Sequence, residues 1–245
     1  MTAQPADSTE RGGRDDLAAA FQWAARLGFH EAVSNHFSLA LEGDGDAFLI
    51  QPAGRHFSRV RASDLLTVDA RAEVVGGEVD PTALHLHASI HRLVPGAHCV
   101  LHTHMPYATA LTCVEGARLE PISQNALRFY ERIAYDEAFG GMALADSETH
   151  RIAQALTDKP VLFMGNHGVT VVGTSVAEAF DRLYFLEKAC ETQVLAMATA
   201  RPLKHVDPAT ARATRDQWAH YPGLTHNHWS EIRALLDAEG SDYCD

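Results

Sequence analysis

Two histidines one residue apart, His102 and His104, are the clearest candidates for chemistry in this sequence. They lie at the end of the segment HCVLHT (98–103) and just after it. The apolar character of that segment predicts a buried strand, and side chains at i and i+2 of a strand lie on one face. The two imidazoles would then lie about 6–7 Å apart at their Cα atoms, as two ligands of one metal ion do. A pair of hydrogen-bonded histidines at a strand end is the alternative interpretation.

His167 is the best candidate for a third ligand. It lies in the turn Gly165-Asn166-His167-Gly168 between two predicted strands, 160–164 and 168–173, and the glycines there let the backbone approach a neighbouring segment closely. Three histidines with open coordination positions are typical of a catalytic divalent metal site. Imidazole binds zinc, manganese, cobalt, nickel and iron, so these residues alone do not select one metal.

The elements that must position these histidines alternate between helix and strand, which predicts an α/β fold with a layered sheet. Gly43-Asp44-Gly45-Asp46 predicts a hairpin turn between strands 36–42 and 47–51. Further short strands are expected at 65–69 and 71–75. Thr82 is the expected cap of a helix over 83–93. The other expected helices span 15–28, 106–113, 121–131, 148–157 and 176–199, with a short one near the end of the chain.

Composition limits the class of protein. The chain has 245 residues, of which 46% are hydrophobic, and a formal charge of −12. It is therefore long and apolar enough to fold, and too acidic to bind nucleic acid through the phosphate backbone. The sequence shows neither a signal peptide nor a membrane span, and its four cysteines are scattered singly, so we expect a reduced, cytoplasmic protein without a membrane partner.

We expect residues 1–13 to be a disordered arm, 14–203 to form one domain, and 204–245 to be a C-terminal helical extension. Five segments carry a resemblance to a known family, in that family's order: SNHFSLAL (34–41), LIQPAG (49–54), LHLHASIHRLVPGAHCVLHTH (84–104), MGNHGVTVVG (164–173) and AEAFDRLYFLEKACETQ (177–193). Together they resemble the class II aldolase/adducin family, and in particular its adducin-like bacterial branch. The resemblance implies a three-layer α/β/α sandwich around a mixed sheet, and a homotetramer. It also implies a divalent metal, most often zinc, held at His102, His104 and His167.

The sequence departs from the sugar-phosphate aldolases of that family at two positions. Their acid/base glutamate lies nineteen residues before the first metal histidine, and Ala83 occupies that place here. Their phosphate loop begins with Gly-Asn, whereas this chain has Asn35-His36 and lacks the glycine that brings bare backbone to a phosphate. Gly54 and Thr82 still match binding positions, and Asn35 remains a candidate. We therefore expect a small substrate without a phosphate group.

Another residue must then supply the acid/base. His87 and His91, one turn apart on the helix after Ala83, and His36 on the substrate loop are the candidates. Arg55 is a candidate for binding a substrate carboxylate in a bidentate pair, together with its neighbour His56. The resemblance implies that a residue of the segment containing Tyr130, Glu131, Tyr135 and Glu137 reaches the site of a neighbouring subunit, and Tyr135 is the candidate substrate contact. Glu187 and Glu191, four residues apart on a predicted helix, are expected on a solvated or subunit-contact face.

The favoured function is a metal-dependent lyase that cleaves or decarboxylates a small hydroxy- or oxo-acid, because both reactions leave an enolate that a metal ion stabilises. Two alternatives remain open. One is a non-catalytic adducin-like binding or scaffold module, suggested by Ala83. The other is an epimerase or isomerase that uses the same enolate chemistry.

Overall fold

An eight-stranded sheet forms the centre of the structure, a computed structural model that describes residues 8–41, 47–69, 71–142, 144 and 146–245. In chain order the strands are β1 (His36–Ala40), β2 (Phe48–Ile50), β3 (Leu66–Val68), β4 (Val74–Val75), β5 (Cys99–Thr103), β6 (Ile133–Asp136), β7 (Val161–Met164) and β8 (Gly168–Gly173). Their order across the sheet is β4-β3-β2-β1-β5-β8-β7-β6. Only β6 and β7 pair in parallel among these neighbours. The predicted mixed sheet of an α/β protein is confirmed.

Helices cover both faces of this sheet. They are α1 (Ser8–Leu27), α2 (Pro81–Leu93), α3 (Pro106–Thr112), α4 (Gln124–Leu127), α5 (Asp146–Leu156), α6 (Val176–Met197), α7 (Pro208–His220) and α8 (Leu224–Ala238). Successive side chains of a strand point to opposite faces. In β5, Leu101 accordingly packs with α1, α3 and α6, while Val100 packs with α2 and α5. The result is the expected three-layer sandwich.

The same alternation places polar side chains between the sheet and α2. His36 and Ser38 flank Phe37, which faces α1, so both point to the α2 side of β1. The antiparallel register pairs His36 directly with His102 on β5. Strand geometry thus brings two histidines that are far apart in sequence to adjacent positions on one face.

Some element boundaries differ from the sequence-based expectations. Helix α1 begins at Ser8, so residues 8–13 are helical rather than part of a disordered arm. Its first turns are held to β3, because the Arg14 guanidinium donates hydrogen bonds to the carbonyl oxygen of Leu65 and to Thr67 Oγ1. Residues 1–7 and the predicted hairpin turn at 43–46 lie outside the described residues.

Two further expectations were wrong in detail. Helix α2 is capped by Asp80 and not by Thr82, because Pro81 occupies its first position and the Asp80 side chain accepts from the backbone N–H of Thr82 and Ala83. The helix expected at 121–131 is only the short α4. The chain then continues into β6, a strand that no alternation of apolar and polar residues predicts.

The C-terminal segment packs against the main domain. Trp229, Ile232 and Leu236 on α8 are buried in the same apolar cluster as α1 and α6. The buried Asp181 carboxylate on α6 accepts a hydrogen bond of 2.7 Å from His228 and another of 2.6 Å from Arg128. None of the helices in the described part of the chain combines the length and apolar composition that a bilayer-spanning segment needs.

Candidate metal centre

The three histidines singled out from the sequence converge at one end of the central strands. His102 is the fourth residue of β5, His104 follows that strand, and His167 lies in the turn from β7 to β8. Each offers one ring nitrogen, and these nitrogens lie within 4.8 Å of one another. The ring centroids are 4.8 to 5.1 Å apart. This spacing would allow one ion to bind to all three histidines, which is the arrangement that the sequence analysis predicts.

Gly168 allows the β7–β8 turn to approach β5. A Cβ atom built on Gly168 would lie 2.6 Å from the carbonyl oxygen of Thr103 and 2.6 Å from Cδ2 of the His104 ring. No side chain fits at either distance. The turn itself uses Asn166 with a positive φ of 54°, which asparagine tolerates better than most residues. Gly168, directly after His167, is therefore the glycine that permits the close approach of this turn to β5.

The hydrogen bonds of the triad leave metal-facing nitrogens free. His102 Nδ1 donates to the carbonyl oxygen of Val169 at 3.1 Å, and His104 Nδ1 is 2.7 Å from a carboxylate oxygen of Glu31. His104 Nε2 is buried and has no hydrogen-bond partner among the described residues. A buried polar atom without a partner is costly, and a metal ion would satisfy it. The donor set therefore fits a divalent ion.

Burial keeps these imidazoles in the form that binds metal. Burial, with a smaller contribution from the neighbouring His104, lowers the pKa of His167 to about 4. Burial likewise holds the pKa of His102 well below its ordinary value, with further lowering by nearby histidines. Metal ligation needs the neutral ring. Near neutral pH both rings are therefore uncharged, and each has a nitrogen lone pair that can bind a metal ion.

Glu31 and Asn35 orient His104 from the loop before β1. The carboxylate of Glu31 bonded to Nδ1 fixes the ring's tautomer and orientation, as carboxylates commonly do behind zinc-bound histidines. Asn35 Oδ1 accepts from the backbone N–H of Glu31 at 2.7 Å and of His104 at 3.5 Å. Sequence analysis selected Asn35 and missed Glu31, because a single exposed glutamate that belongs to no motif gives no signal of a functional role.

Glu187 holds the chain just after the two histidines. Its carboxylate accepts from the backbone N–H of Tyr107 at 2.8 Å and of Ala108 at 2.9 Å, at the start of α3. The residue before that helix, Met105, supplies no side-chain cap. Glu187 is buried, and burial raises its pKa. The expectation of a solvated or subunit-contact face is wrong for Glu187, because the carboxylate caps a neighbouring helix.

An open cavity of about 520 Å³ adjoins the triad. Its walls include Gly54 and Thr82, two of the predicted substrate contacts, and also Asp80. Thr82 donates its hydroxyl hydrogen to Asp80 at 2.5 Å. Burial acts to raise the pKa of Asp80, but hydrogen bonds from Thr82 and Ala83 outweigh it and hold that pKa below its usual value. A carboxylate therefore lines the cavity three residues before Ala83.

Ala83 itself carries no polar function. It is 1% exposed and packs with Phe48, Ile50 and Val68 in a small apolar cluster. Its Cβ therefore lies in a hydrocarbon environment. The position at which the resemblance implied an acid/base glutamate contributes only packing here.

The three proposed acid/base histidines occupy different depths. His36 lines the cavity and stacks on His102 at a centroid distance of 4.8 Å. His87 is completely buried behind it, and both of its ring nitrogens are hydrogen bonded, to His36 and to Ser38. His91 bonds to Ser38 and to the carbonyl oxygen of Ala97. Only His36 among these three borders the cavity.

Two predicted substrate contacts lie away from the triad within this chain. The Arg55 guanidinium pairs with Asp64 at 2.8 Å, and His56 bonds to Ser58. The Tyr135 hydroxyl accepts from the backbone N–H of Leu119, and burial raises its pKa to about 12. Tyr135 lines a separate cavity of about 290 Å³. Its predicted reach toward another subunit stays a prediction.

Comparison with known proteins agrees with this architecture. Residues 15–194 match the family described as Class II Aldolase and Adducin N-terminal domain. Decarboxylase NovR of Streptomyces niveus is 30% identical over 226 residues, which are 90% of this chain and 81% of that protein.

Two solved structures are also similar. An aldolase II superfamily protein from Pseudomonas syringae superposes with a TM-score of 0.90 at 31% identity, covering 98% of each chain. L-fuculose 1-phosphate aldolase from Glaciozyma antarctica PI12 gives a TM-score of 0.84 at 25% identity, covering 99% of this chain and 96% of that one. The match over most of the chain, with the fold and the histidine triad, shows that this protein belongs to the class II aldolase and adducin family.

Proposed function

We propose that this chain is a divalent-metal-dependent carbon–carbon lyase, with zinc as the preferred metal, acting on a small hydroxy- or oxo-acid by retro-aldol cleavage or decarboxylation. The observation that carries the proposal is the convergence of His102, His104 and His167, with a buried unpartnered nitrogen on His104, at the wall of an open cavity. A divalent ion held there would supply a Lewis acid that stabilises the negative charge developed when a carbon–carbon bond next to a carbonyl breaks.

His36 is the proposed acid/base, because it borders both the cavity and His102. Asn35 is the proposed donor to substrate oxygen. It is 1% exposed and not itself a lining residue, but it lies between Ser34 and His36, which line the cavity, and its Nδ2 has no hydrogen-bond partner among the described residues. Thr82 and Gly54 complete the wall. His87 and His91 have both ring nitrogens engaged, so we do not place them in contact with substrate.

The charge of the cavity supports a substrate without phosphate. Its described lining includes the carboxylates Glu31 and Asp80 and no lysine or arginine. The nearby Arg55 is paired with Asp64. A phosphate dianion would meet two carboxylates there without a cationic side chain among the described lining residues, whereas the single charge of a substrate carboxylate would be balanced by the bound divalent ion. NovR, a relative named as a decarboxylase, supports the same class of reaction.

A homotetramer is part of the proposal. Phe139 and Met142 line the cavity with exposed fractions of 54% and 73%, and the nearby Leu144 is 56% exposed. Apolar side chains so exposed beside a site are typical of an association surface. Sedimentation velocity of the purified chain, compared with Met142→Glu, tests whether this edge forms the assembly. A monomeric wild type would contradict the tetramer.

Metal content tests the first step. The purified chain should hold close to one zinc or manganese ion, and His104→Ala should lose it, whereas exposed His150→Ala should keep it. A content below about 0.3 ion per chain that added metal does not raise would refute the proposal.

The carbon count of products from a panel of hydroxy- and oxo-acids tests the second step. Carbon dioxide indicates decarboxylation, two carbonyl fragments indicate retro-aldol cleavage, and an unchanged carbon skeleton indicates the epimerase or isomerase alternative. The apolar surroundings of Ala83 favour the scaffold as a second candidate. A scaffold predicts that His102→Ala leaves every function of the protein intact.

A further inference from the structure

Three buried side chains, His36, Ser38 and His87, and the partly buried His91 form a continuous row of hydrogen bonds behind the cavity. His91 Nδ1 is 2.7 Å from the carbonyl oxygen of Ala97, and His91 Nε2 is 2.7 Å from Ser38 Oγ. Ser38 Oγ also bonds to His87 Nδ1. His87 Nε2 is 2.7 Å from His36 Nδ1. The row thus runs from a fixed backbone carbonyl to the histidine that lines the cavity.

The carbonyl oxygen at the far end fixes the direction of every bond. It can only accept, so His91 Nδ1 carries hydrogen, and in a neutral ring His91 Nε2 must then accept. Ser38 has a single hydroxyl hydrogen, which goes to His91, and its oxygen accepts from His87 Nδ1. His87 Nε2 must then accept from His36 Nδ1. The remaining nitrogen, His36 Nε2, is left without hydrogen.

Burial keeps all three rings neutral, as this order requires. His87 is completely buried and His36 is 5% exposed. Burial lowers the pKa of His91, the ring whose tautomer starts the row, to about 4. The rings also face one another, and two neighbouring positive charges in so small a volume are unfavourable.

His36 Nε2 is therefore available to a ligand. The ring lines the cavity while its Nδ1 edge faces the completely buried His87. No other described residue is hydrogen bonded to His36 Nε2.

We infer that Ser38, His87 and His91 are positioning residues that hold His36 in its Nδ1–H tautomer, so that an unprotonated Nε2 faces the cavity. This deepens the proposed function, on which its chemical meaning rests. A bare nitrogen can accept a hydrogen bond or a proton from a ligand hydroxyl, and it cannot donate to a carbonyl oxygen. Local packing, rather than chance, then sets the proton state of the cavity histidine.

Long-range ¹H–¹⁵N spectra of the zinc-loaded full chain with ¹⁵N-labelled histidine rings test the assignment. Expected are protonated Nδ1 and unprotonated Nε2 atoms on His36, His87 and His91. A protonated Nε2 with a bare Nδ1 on His36, or two protonated nitrogens on His91, would overturn the inference. The spectra need no substrate and no turnover. If the protein lacks lyase activity but shows this pattern of protonation, the proposed function is refuted and the inference about His36 still holds.

Ser38→Ala tests whether the row of hydrogen bonds sets the tautomer of His36. Alanine fits the site sterically and cuts the row between His87 and His91, so His36 and His87 should change from one tautomer to a mixture. Ser89→Ala is the matched control, because Ser89 is a partly buried serine on α2 that bonds to Thr149 instead, and it should keep the wild-type pattern. A single unchanged tautomer of His36 in folded Ser38→Ala would show that Ser38 does not position it.

Discussion

Replacing Gly168 with alanine is expected to weaken metal binding by about 10- to 100-fold, or about 1.4–2.7 kcal/mol. The new Cβ would lie 2.6 Å from the Thr103 carbonyl oxygen and 2.6 Å from the His104 ring. Carbon atoms in contact prefer about 3.5 Å or more, so the neighbours must move by roughly 0.9 Å. The carbonyl belongs to β5, which is paired on both sides. The His104 ring must therefore move, although metal–ligand distances tolerate only about 0.2 Å.

Competition with a chromophoric zinc chelator measures this change directly. Urea unfolding of the metal-free protein should accompany it, because overpacking alone costs about 1–3 kcal/mol and must not be mistaken for lost ligation. Gly12→Ala is the matched control: a Cβ there meets no atom within 4 Å, and the position is helical. Wild-type zinc affinity in folded Gly168→Ala would refute the argument that this close approach positions His104.

Three further outcomes follow from contacts around the site. Glu31→Gln should lower zinc affinity about tenfold, because a neutral amide polarises the His104 ring less; unchanged affinity in the same chelator assay would contradict it. Glu187→Ala should lower the free energy of unfolding in urea by about 1–3 kcal/mol, since two backbone N–H groups lose their acceptor. Glu191→Ala, which removes only a surface pair, should cost under about 1 kcal/mol, and equal losses would argue against the cap. The metal-free protein should lose stability as pH falls from about 6.5 toward 4. Partial burial lowers the pKa of His91 to about 4, below its value in the unfolded chain, so unfolding takes up protons in this window; a flat urea midpoint across it would contradict the assignment.

Residue spacing predicted two of the three clustered histidines because they are close in sequence, and the turn pattern predicted the third. His102 and His104 are two residues apart at the end of β5, and His167 lies in a turn with a glycine on either side. The class of fold was equally accessible, since alternating helical and strand patterns report a layered α/β protein. The early start of α1 and the strand β6 were not accessible, because contacts with distant segments decided both.

Tertiary structure decided which other side chains belong to the site. Sequence offered His36, His87 and His91 as interchangeable candidates, and only the β1–β5 register together with the packing of α2 put His36 at the cavity and the other two behind it. The same holds for Glu187, whose carboxylate crosses from α6 to cap α3. Periodicity fixes the face on which a side chain lies, whereas its partner across the fold depends on how the elements pack. The sequence by itself therefore selected the three histidines that cluster, and the packing of the sheet against its helices determined the groups that surround them.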